Sequence, residues 1–341
     1  MTTISEPDVL AIAMQLMATE STTGNEGRVI DVAEQILTGL GWNVRRIPVT
    51  PGRDNLLAYG DSPVQLVFST HLDTVPPHIP PRIDGDRLLG RGACDAKGIA
   101  AAMICAATLL KAGGMAVGVL LVVGEEAPHD GARAANAVKN SCRVLINGEP
   151  TESKLATGTK GALRCSITTR GKAAHSAYPH LGVSATAKLV ALLGEIDGLT
   201  LPTHAILGAT TINIGRLSGG VADNVIAPAA TARLMVRLVT SSAETIALLT
   251  AWLGDRAEFE VETEVQPVLL GSVHGFETDV VAYATDVPEL SNWGTPYLFG
   301  PGSIHVAHTD HEFIDLAELR AAVPAYQRLA TAALATAAPC G

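Results

Sequence analysis

The sequence is short of aromatic residues and of positive charge. Phe, Trp and Tyr make up 4% of the 341 residues while hydrophobic residues make up 47%, so the core must be built mainly from small aliphatic side chains. The formal net charge of −10 argues against nucleic acid or an acidic membrane as a partner. No apolar run reaches the length of a membrane span, and the first ten residues lack the pattern of a secretory signal. We therefore expect a cytoplasmic globular protein.

Cysteine is also scarce, and its spacing excludes the common cysteine motifs. The five cysteines are scattered, odd in number and without a CxxC pair, which predicts reduced thiols that serve mostly as core residues. Cys94 is also expected to be a small packing residue, although it directly precedes the acidic residue Asp95. The five positions are Cys94, Cys105, Cys142, Cys165 and Cys340.

The order of apolar runs and helical segments predicts an α/β fold. Through residue 149, short apolar runs alternate with amphipathic or Ala-rich segments, and such alternation is typical of a mostly parallel sheet with helices on both faces. The helical segments include 97–111 and 129–140, and a further helix is expected at 277–283.

The pattern changes after this first region. Residues 161–268 read as strand, helix, strand, strand, helix, strand, which predicts a four-stranded sheet with two helices. We therefore expect a discontinuous domain of residues 1–160 and 269–341, into which a lid domain of residues 161–268 is inserted.

The stretch from residue 66 to 98 carries the first candidate site residues. An apolar run at 66–68 predicts a buried strand that ends in His71 and Asp73. Residues i and i+2 of a strand share a face, so these two side chains should point the same way. A neutral imidazole can bind a metal, and a neighbouring carboxylate can set its tautomer. Asp95 then precedes an Ala-rich helix.

Two further apolar runs also end in acids. Glu125 and Glu126 follow the first, Glu149 follows the second, and a late loop carries His308. An open α/β sheet builds its site just past the carboxyl ends of successive strands. Two histidines with several carboxylates suit zinc or a similar divalent ion. The sequence therefore predicts a metal site at this edge of the sheet.

Five motifs, in register along nearly the whole chain, resemble one enzyme family. The strings HLDTVP, GRGACDAKG, GEE, GEPT and GPG…AHT..EF are similar to those of the dizinc deacylases and exopeptidases. That family includes acetylornithine deacetylase, succinyl-diaminopimelate desuccinylase, aminoacylase and related carboxypeptidases. The GEPT, NIGR and GPG…AHT segments look most like the acetylornithine deacetylase branch.

The resemblance implies two divalent metal ions, taken to be zinc, for which cobalt or manganese could substitute. Asp95 would bridge the two ions. His71 and Glu149 would complete the protein ligands of one, and Glu126 with His308 those of the other. Because His305, His308 and His311 recur every third residue, the choice of His308 rests on the family's Ala-His-Thr pattern. His305 and His311 are expected to be solvated or to support the ligands.

The same resemblance assigns catalytic roles. Glu125 would be the general base for a metal-bound hydroxide nucleophile, and it would pass the proton to the leaving amine. Asp73 would hold the His71 ring. In the lid, His175 matches a family histidine that reaches the partner subunit's site and donates a hydrogen bond to the tetrahedral oxyanion. This last role requires a homodimer that forms through the lids.

Substrate contacts are implied at four further positions. Asn224 and Arg237 match lid residues that contact substrate in relatives, and a guanidinium can bind an α-carboxylate through two hydrogen bonds. Gly302 and Ser303 would offer backbone N–H groups to the same carboxylate.

The expected activity is removal of an acyl group from a small N-acyl amino acid, as in arginine biosynthesis. A dipeptidase, a carboxypeptidase or a desuccinylase could use the same metal centre, because the acyl pocket that separates them is not visible in the sequence. A metal-binding dimer without catalysis is a further alternative, although all five ligands and Glu125 are present.

Overall fold

The chain divides into two units in the computed structural model, which describes residues 7–337. A large unit contains the described residues up to Thr157 together with Leu270–Asp279 and the residues from Thr285 onward. A small unit contains Gly158–Leu269 and Val280–Ala284. Cys340 lies outside the described residues.

The large unit is built on a mixed sheet with a parallel centre. Its strands are β1 (Asn43–Thr50), β2 (Arg53–Tyr59), β3 (Leu66–His71), β6 (Val117–Val122), β7 (Val144–Asn147), β8 (Leu155–Thr159) and β17 (Thr295–Leu298). They lie in the order β1-β2-β6-β3-β7-β17-β8. The pairs β6-β3, β3-β7 and β7-β17 are parallel, and the outer pairs are antiparallel. A smaller sheet has the order β18-β5-β4, formed by β4 (Arg82–Asp84), β5 (Arg87–Leu89) and β18 (Phe313–Asp315).

Helices cover both faces of the large sheet, as the sequence predicts. They are α1 (Val9–Ala18), α2 (Gly27–Gly39), α3 (Lys97–Ala112), α4 (Asp130–Asn136) and α7 (Leu316–Thr336), with a 3₁₀ segment at Val287–Trp293. Alternate strand residues point to opposite cores. Phe68 packs in the core of α1, α2, α3 and α7, whereas Val67 packs with α4 and Trp293. Fully buried strands of this kind explain the continuous apolar runs in the sequence.

Helix α3 is buried almost throughout. Its residues from Lys97 to Thr108 are all buried, and it contacts α1, α7, β3 and β6. Alanine allows this close approach because its side chain adds little bulk, and it also has the highest intrinsic helix propensity. The packing holds the start of α3, and Asp95 just before it, against the central strands.

The small unit contains a four-stranded antiparallel sheet and two helices. Its main elements are β9 (Gly161–Arg170), α5 (Ala185–Leu193), β12 (Thr211–Gly219), β13 (Ala229–Leu238), α6 (Ser242–Leu253) and β14 (Glu258–Val265). The strand order is β12-β13-β9-β14. One sheet face forms a core with α5 and α6. The minor elements are β10 (Thr203–His204), β11 (Gly208–Ala209), β15 (Val268–Leu269) and 3₁₀ turns at Pro179–Leu181 and Ile196–Gly198.

These elements confirm the predicted fold class and the strand-helix-strand-strand-helix-strand order, with two local differences. The segment expected to be helical at 277–283 instead forms strand β16 (Thr278–Val281), which pairs with β8. Pairing with β8 overrides the weak helical pattern of so short a segment. Helix α4 ends at Asn136, earlier than the expected residue 140.

Within residues 7–337, no helix is long and apolar enough to cross a membrane.

Candidate dinuclear metal centre

The predicted site residues lie at the carboxyl ends of the parallel strands, along one edge of the large sheet. His71 is the last residue of β3, Glu125 and Glu126 follow β6, and Glu149 follows β7. Because β3 lies between β6 and β7, the carboxyl ends of all three strands are adjacent. Asp95 joins them from the loop before α3.

The residues of a first group of potential metal ligands are all buried. The group consists of His71, Asp95 and Glu149, whose ligand atoms lie within 4.8 Å of one another. His71 Nδ1 lies 3.0 Å from the carbonyl oxygen of Asp73, and His71 Nε2 lies 3.1 Å from Asp95 Oδ1. If Nδ1 carries the proton and donates a hydrogen bond to the carbonyl, the lone pair of Nε2 faces the acids, as a metal ligand requires.

A second group lies beside the first and shares one member with it. Asp95, Glu126 and His308 also have ligand atoms within 4.8 Å of one another. His308 Nε2 is 2.9 Å from Glu126 Oε1 and 3.1 Å from Asp95 Oδ2. The two oxygens of Asp95 therefore face different histidines, which is the arrangement expected of a carboxylate that bridges two cations.

The electrostatics of both groups favour cations. Burial raises the pKa of Glu149 well above its ordinary value, and Glu149 Oε1 has no hydrogen-bond partner among the described residues. Hydrogen bonds to Asp95 and Glu126 raise the pKa of His308 to about 10. Burial lowers the pKa of His71, but Asp73 and Asp95 outweigh that effect, so the pKa is raised. Buried carboxylates of this density need compensating positive charge, and the N and O donors present fit two zinc-like ions.

Asp73 contacts more than the His71 ring. Its Oδ1 accepts a hydrogen bond from the backbone N–H of Glu125 at 3.0 Å, and its Oδ2 accepts one from Glu126 at 3.1 Å. The Thr23 hydroxyl donates to Oδ2 as well, at 2.9 Å. His71 Nδ1 is 3.5 Å from Oδ1, farther than it is from the Asp73 carbonyl oxygen. The carboxylate of Asp73 therefore fixes the backbone that carries both glutamates.

Glu125 lies beside the two ligand groups without belonging to either. Burial raises its pKa well above the ordinary value, the nearby Glu149 adds to this, and His71 opposes it. A carboxyl group in such surroundings holds a proton more readily than an exposed one, which suits a group that accepts and then releases a proton.

A buried ion pair near Asp95 joins two of the quoted motifs, whose strings do not show that these residues pair. The side chains of Arg91 and Glu312 are at most 1% exposed, and Arg91 Nη1 lies 2.7 Å from Glu312 Oε2. Glu312 Oε1 also accepts hydrogen bonds from the backbone N–H groups of Cys94 and Asp95, each at 3.2 Å. Arg91 donates to the carbonyl oxygen of Thr309, next to His308. The pair thus ties the Asp95 loop to the His308 loop.

A second charged network supports the turn before Glu125. Arg53 donates to Glu26 at 2.7 and 2.9 Å and to Asp130 at 2.6 and 3.1 Å. Glu26 is fully buried. Gly124, at φ +72°, packs against Asp130 and Arg53 so closely that a Cβ atom would lie 2.2 Å from Asp130 Oδ1. These residues are far apart in sequence, so no local motif signals the network.

The loop of His308 contains two other candidate histidines. His305 and His311 are exposed, and neither belongs to a ligand group among the described residues. The backbone N–H of Gly302, a candidate donor to substrate, already donates to Glu318 at 2.9 Å. The Ser303 hydroxyl donates to Glu152.

Three candidate residues lie in the small unit. His175 is exposed, pairs as an isolated β-bridge with Val225, and its ring contacts Tyr178 edge-on. The backbone carbonyl oxygen of Asn224 accepts a hydrogen bond from the backbone N–H of Ser176, which brings the loops of His175 and Asn224 together. Arg237 lies on β13, and burial together with the nearby Arg164 lowers its pKa.

Comparison with known proteins identifies the family. Residues 157–260 match the model of the peptidase dimerisation domain of M20 peptidases. A peptidase M20 domain-containing protein of Schizosaccharomyces pombe is 38% identical over 336 residues, covering 94% of this chain and 84% of that protein. A probable carboxypeptidase of Aspergillus terreus is 36% identical over 380 residues, covering 97% of this chain and 88% of that protein.

Solved structures share the fold. A tripeptidase of Staphylococcus aureus superposes with a TM-score of 0.82 at 19% identity, covering 98% of this chain and all of that one. Human carnosine dipeptidase 1 gives a TM-score of 0.72 at 16% identity, covering 96% of each chain. Taken with the 38% identity to the Schizosaccharomyces pombe protein over almost the whole length, these matches place the chain in the M20 peptidase family.

Proposed function

We propose that this hydrolase is a dinuclear-metal exopeptidase or dipeptidase that cleaves an amide bond next to a free carboxylate. The observation that supports it most is Asp95, whose two oxygens face two separate groups of histidine and carboxylate ligands. The relatives named as probable carboxypeptidases favour a peptide substrate over an N-acyl amino acid. Acetylornithine deacetylase activity, suggested by the sequence motifs, becomes the second candidate.

His71 and Glu149 would hold one ion, Glu126 and His308 would hold the other, and Asp95 would be shared between them. Zinc fits this mixture of imidazole and carboxylate donors, and cobalt or manganese could replace it. When bound, two such ions polarise the substrate carbonyl and make an attacking water more acidic.

The chain's own residues then move the proton. Glu125 accepts a proton from the attacking water and delivers it to the nitrogen of the leaving amine, so that one carboxylate serves both halves of the reaction. Asp73 keeps the Glu125 and Glu126 backbone in place through two N–H groups. It thereby lets two adjacent side chains serve different purposes, one as base and one as ligand.

The two candidate activities share a chemical unit. The last residue of a peptide and an N-acyl amino acid both present a carbonyl, an N–H and a free α-carboxylate in the same order. Arg237 is our candidate for the carboxylate contact, with Asn224 and Ser303 as further contacts; a guanidinium binds a carboxylate through two hydrogen bonds. What lies on the acyl side of the bond distinguishes the two activities.

A substrate panel tests this proposal. Protein loaded with zinc is assayed on dipeptides, tripeptides, N-acetyl amino acids including N-acetylornithine, and N-succinyl amino acids. We expect the highest kcat/KM on a peptide with a free carboxyl terminus, and loss of activity when that carboxylate is amidated. A preference for N-acetylornithine by tenfold or more would instead establish the deacetylase. Two bound metals without hydrolysis of any member would support a binding protein that lacks catalysis.

A homodimer through the small unit is also part of the proposal. Ten of the eleven large hydrophobic side chains that are exposed among the described residues lie in this unit; they are Tyr178, Leu181, Val183, Val190, Ile206, Ile214, Leu217, Val221, Val261 and Leu269. Strand β12 lies at the edge of its sheet, open to pairing. The dimerisation-domain match supports the same arrangement. In such a dimer His175 serves the partner subunit's site as an oxyanion donor.

A further inference from the structure

A third group of ligand-type side chains lies beside the two proposed metal sites. It consists of Glu125, His129 and Asp286, with one ligand atom from each within 4.8 Å of the others. None of the three belongs to the ligands of the two ions proposed above. Glu125 is nevertheless the proposed general base, so whatever binds this group acts directly on the reaction.

The geometry of this group repeats that of the other two. His129 Nδ1 lies 2.8 Å from Asp286 Oδ1. The corresponding separation between imidazole nitrogen and carboxylate oxygen is 3.1 Å in the His71 group and 2.9 Å in the His308 group. All three groups therefore hold a nitrogen and an oxygen at the spacing of adjacent ligands on one ion.

Asp286 brings a buried oxygen without a partner to the group. Its side chain is 1% exposed, and its Oδ2 has no hydrogen-bond partner among the described residues. Asp286 also raises the pKa values of Glu125 and Glu149, although burial is the larger cause for each. A buried carboxylate oxygen without a partner is costly, and binding a cation removes that cost.

The group is held by the scaffold rather than by flexible side chains. His129 directly precedes α4, and its backbone N–H donates to Gly124 O at 2.7 Å. Asp286 directly precedes the 3₁₀ segment, which packs on α4. Trp293 of that segment donates to Ala135 O of the helix at 3.3 Å. Because these contacts join the two segments, the backbone positions of His129 and Asp286 are fixed relative to each other without a bound ion.

We propose that Glu125, His129 and Asp286 form a third cation site, which zinc occupies when it is in excess and which inhibits the enzyme. One imidazole and two carboxylates are ligands that zinc accepts, and their charges balance a divalent ion. An ion there engages the carboxylate of Glu125, which can then no longer accept a proton. The inhibitory effect rests on the proposed function of Glu125, whereas the site itself does not.

This site should be weaker than the other two. Asp95 offers both of its oxygens to the two main sites, and this group has no such shared carboxylate. We expect two tight zinc equivalents and a third that binds at higher free zinc.

Equilibrium dialysis against buffered free zinc, followed by elemental analysis, measures the number of bound ions without any substrate. The unmodified protein is compared with His129→Gln and Asp286→Asn. It is also compared with His274→Gln, which replaces an exposed histidine of the large unit. We expect a third zinc equivalent in the unmodified protein and in His274→Gln, and two zinc equivalents in His129→Gln and Asp286→Asn. A third equivalent of unchanged affinity in both site variants would overturn the proposal.

Activity measured over the same zinc series tests the consequence. The unmodified protein and His274→Gln should lose turnover as the third zinc equivalent binds. His129→Gln should need at least tenfold more zinc for the same loss. At two equivalents His129→Gln should turn over as fast as the unmodified protein. If its turnover falls there with KM unchanged, the pair of His129 and Asp286 positions Glu125 for catalysis instead, and the inhibitory role is rejected. If the protein cleaves none of the substrates, the dialysis experiment still tests whether the third cation site exists.

Discussion

Glu125 and Glu126 are adjacent in the chain, yet their side chains have different surroundings. Glu126 lies with Asp95 and His308 in a ligand group, while Glu125 lies near His129 and Asp286. The backbone between them is fixed because Asp73 accepts hydrogen bonds from both N–H groups. Neighbouring side chains on a fixed backbone diverge, so one position can bind a metal while the next moves a proton.

Replacing Glu125 tests this division. Glu125→Ala should keep two tightly bound metals and lose about 10²–10⁴-fold in kcat, the usual contribution of a general base. Metal content by elemental analysis and kcat on the best substrate of the panel are the two measurements. Loss of one metal, with activity restored by added zinc, would show that Glu125 is the ligand and Glu126 the base.

Replacing Glu312 tests the buried support of the metal bridge. Glu312→Gln weakens the ion pair with Arg91 and the acceptor for the N–H groups of Cys94 and Asp95. We expect metal affinity to fall by about 10–100-fold, the effect typical of losing a group that orients a ligand. Competition with a chelator measures the affinity. Glu258→Gln, which breaks an exposed pair with Arg170, is the control and should leave metal affinity unchanged.

At the scale of elements, the turn between β6 and α4 determines where both glutamates lie. Gly124 has φ +72° and has no room for a side chain, because Asp130 and Arg53 pack directly against it. Asn55 closes the same turn, since it accepts from Val123 N and donates to Gly131 O. The turn is thus built from β2, β6 and α4 together.

Gly124→Ala should therefore both destabilise the protein and disturb the site. The left-handed backbone alone costs about 1–2 kcal/mol for a residue with a Cβ, and the contact with Asp130 adds to that cost. Urea unfolding gives the free energy, and zinc affinity reports on Glu126. Gly39→Ala is the control, because nothing lies within 4 Å of its Cβ position and its φ is not positive. Equal stability of the two variants would contradict the role assigned to this turn.

For the whole molecule, the proposed dimer makes each site depend on two subunits. Equal amounts of His175→Ala and Glu125→Ala are mixed, each of which should be almost inactive by itself. The loss in His175→Ala should be about 10²–10³-fold, as for one oxyanion donor. A mixed dimer then has one site that lacks both groups and one intact site. Since half of the dimers are mixed, activity should recover to about a quarter of the unmodified level.

Two measurements accompany the mixing experiment. Subunit exchange must be shown independently, for example by energy transfer between labelled subunits, and sedimentation must show a dimer at the assay concentration. If the subunits exchange and no activity returns, His175 acts within its own subunit or outside catalysis. A fully active monomer at nanomolar concentration would exclude the shared site altogether.

Local sequence determined the fold class and named the candidate ligands. Continuous apolar runs specify buried strands, and the acids that follow them specify one edge of a parallel sheet, because both signals lie within a few neighbouring residues. His71, Asp95, Glu126, Glu149 and His308, chosen from such patterns and from motif resemblance, all enter the two ligand groups in the structure.

Only the tertiary structure revealed the contacts that support and surround this site. Arg91 and Glu312 are 221 residues apart, and His129 and Asp286 are 157 apart, so their pairing leaves no periodic signal in the chain. The same limitation applies to Thr278–Val281, whose strand conformation depends on its pairing with β8. Side-chain periodicity reports which face of an element is buried, whereas partners distant in sequence are set by the packing of the whole unit.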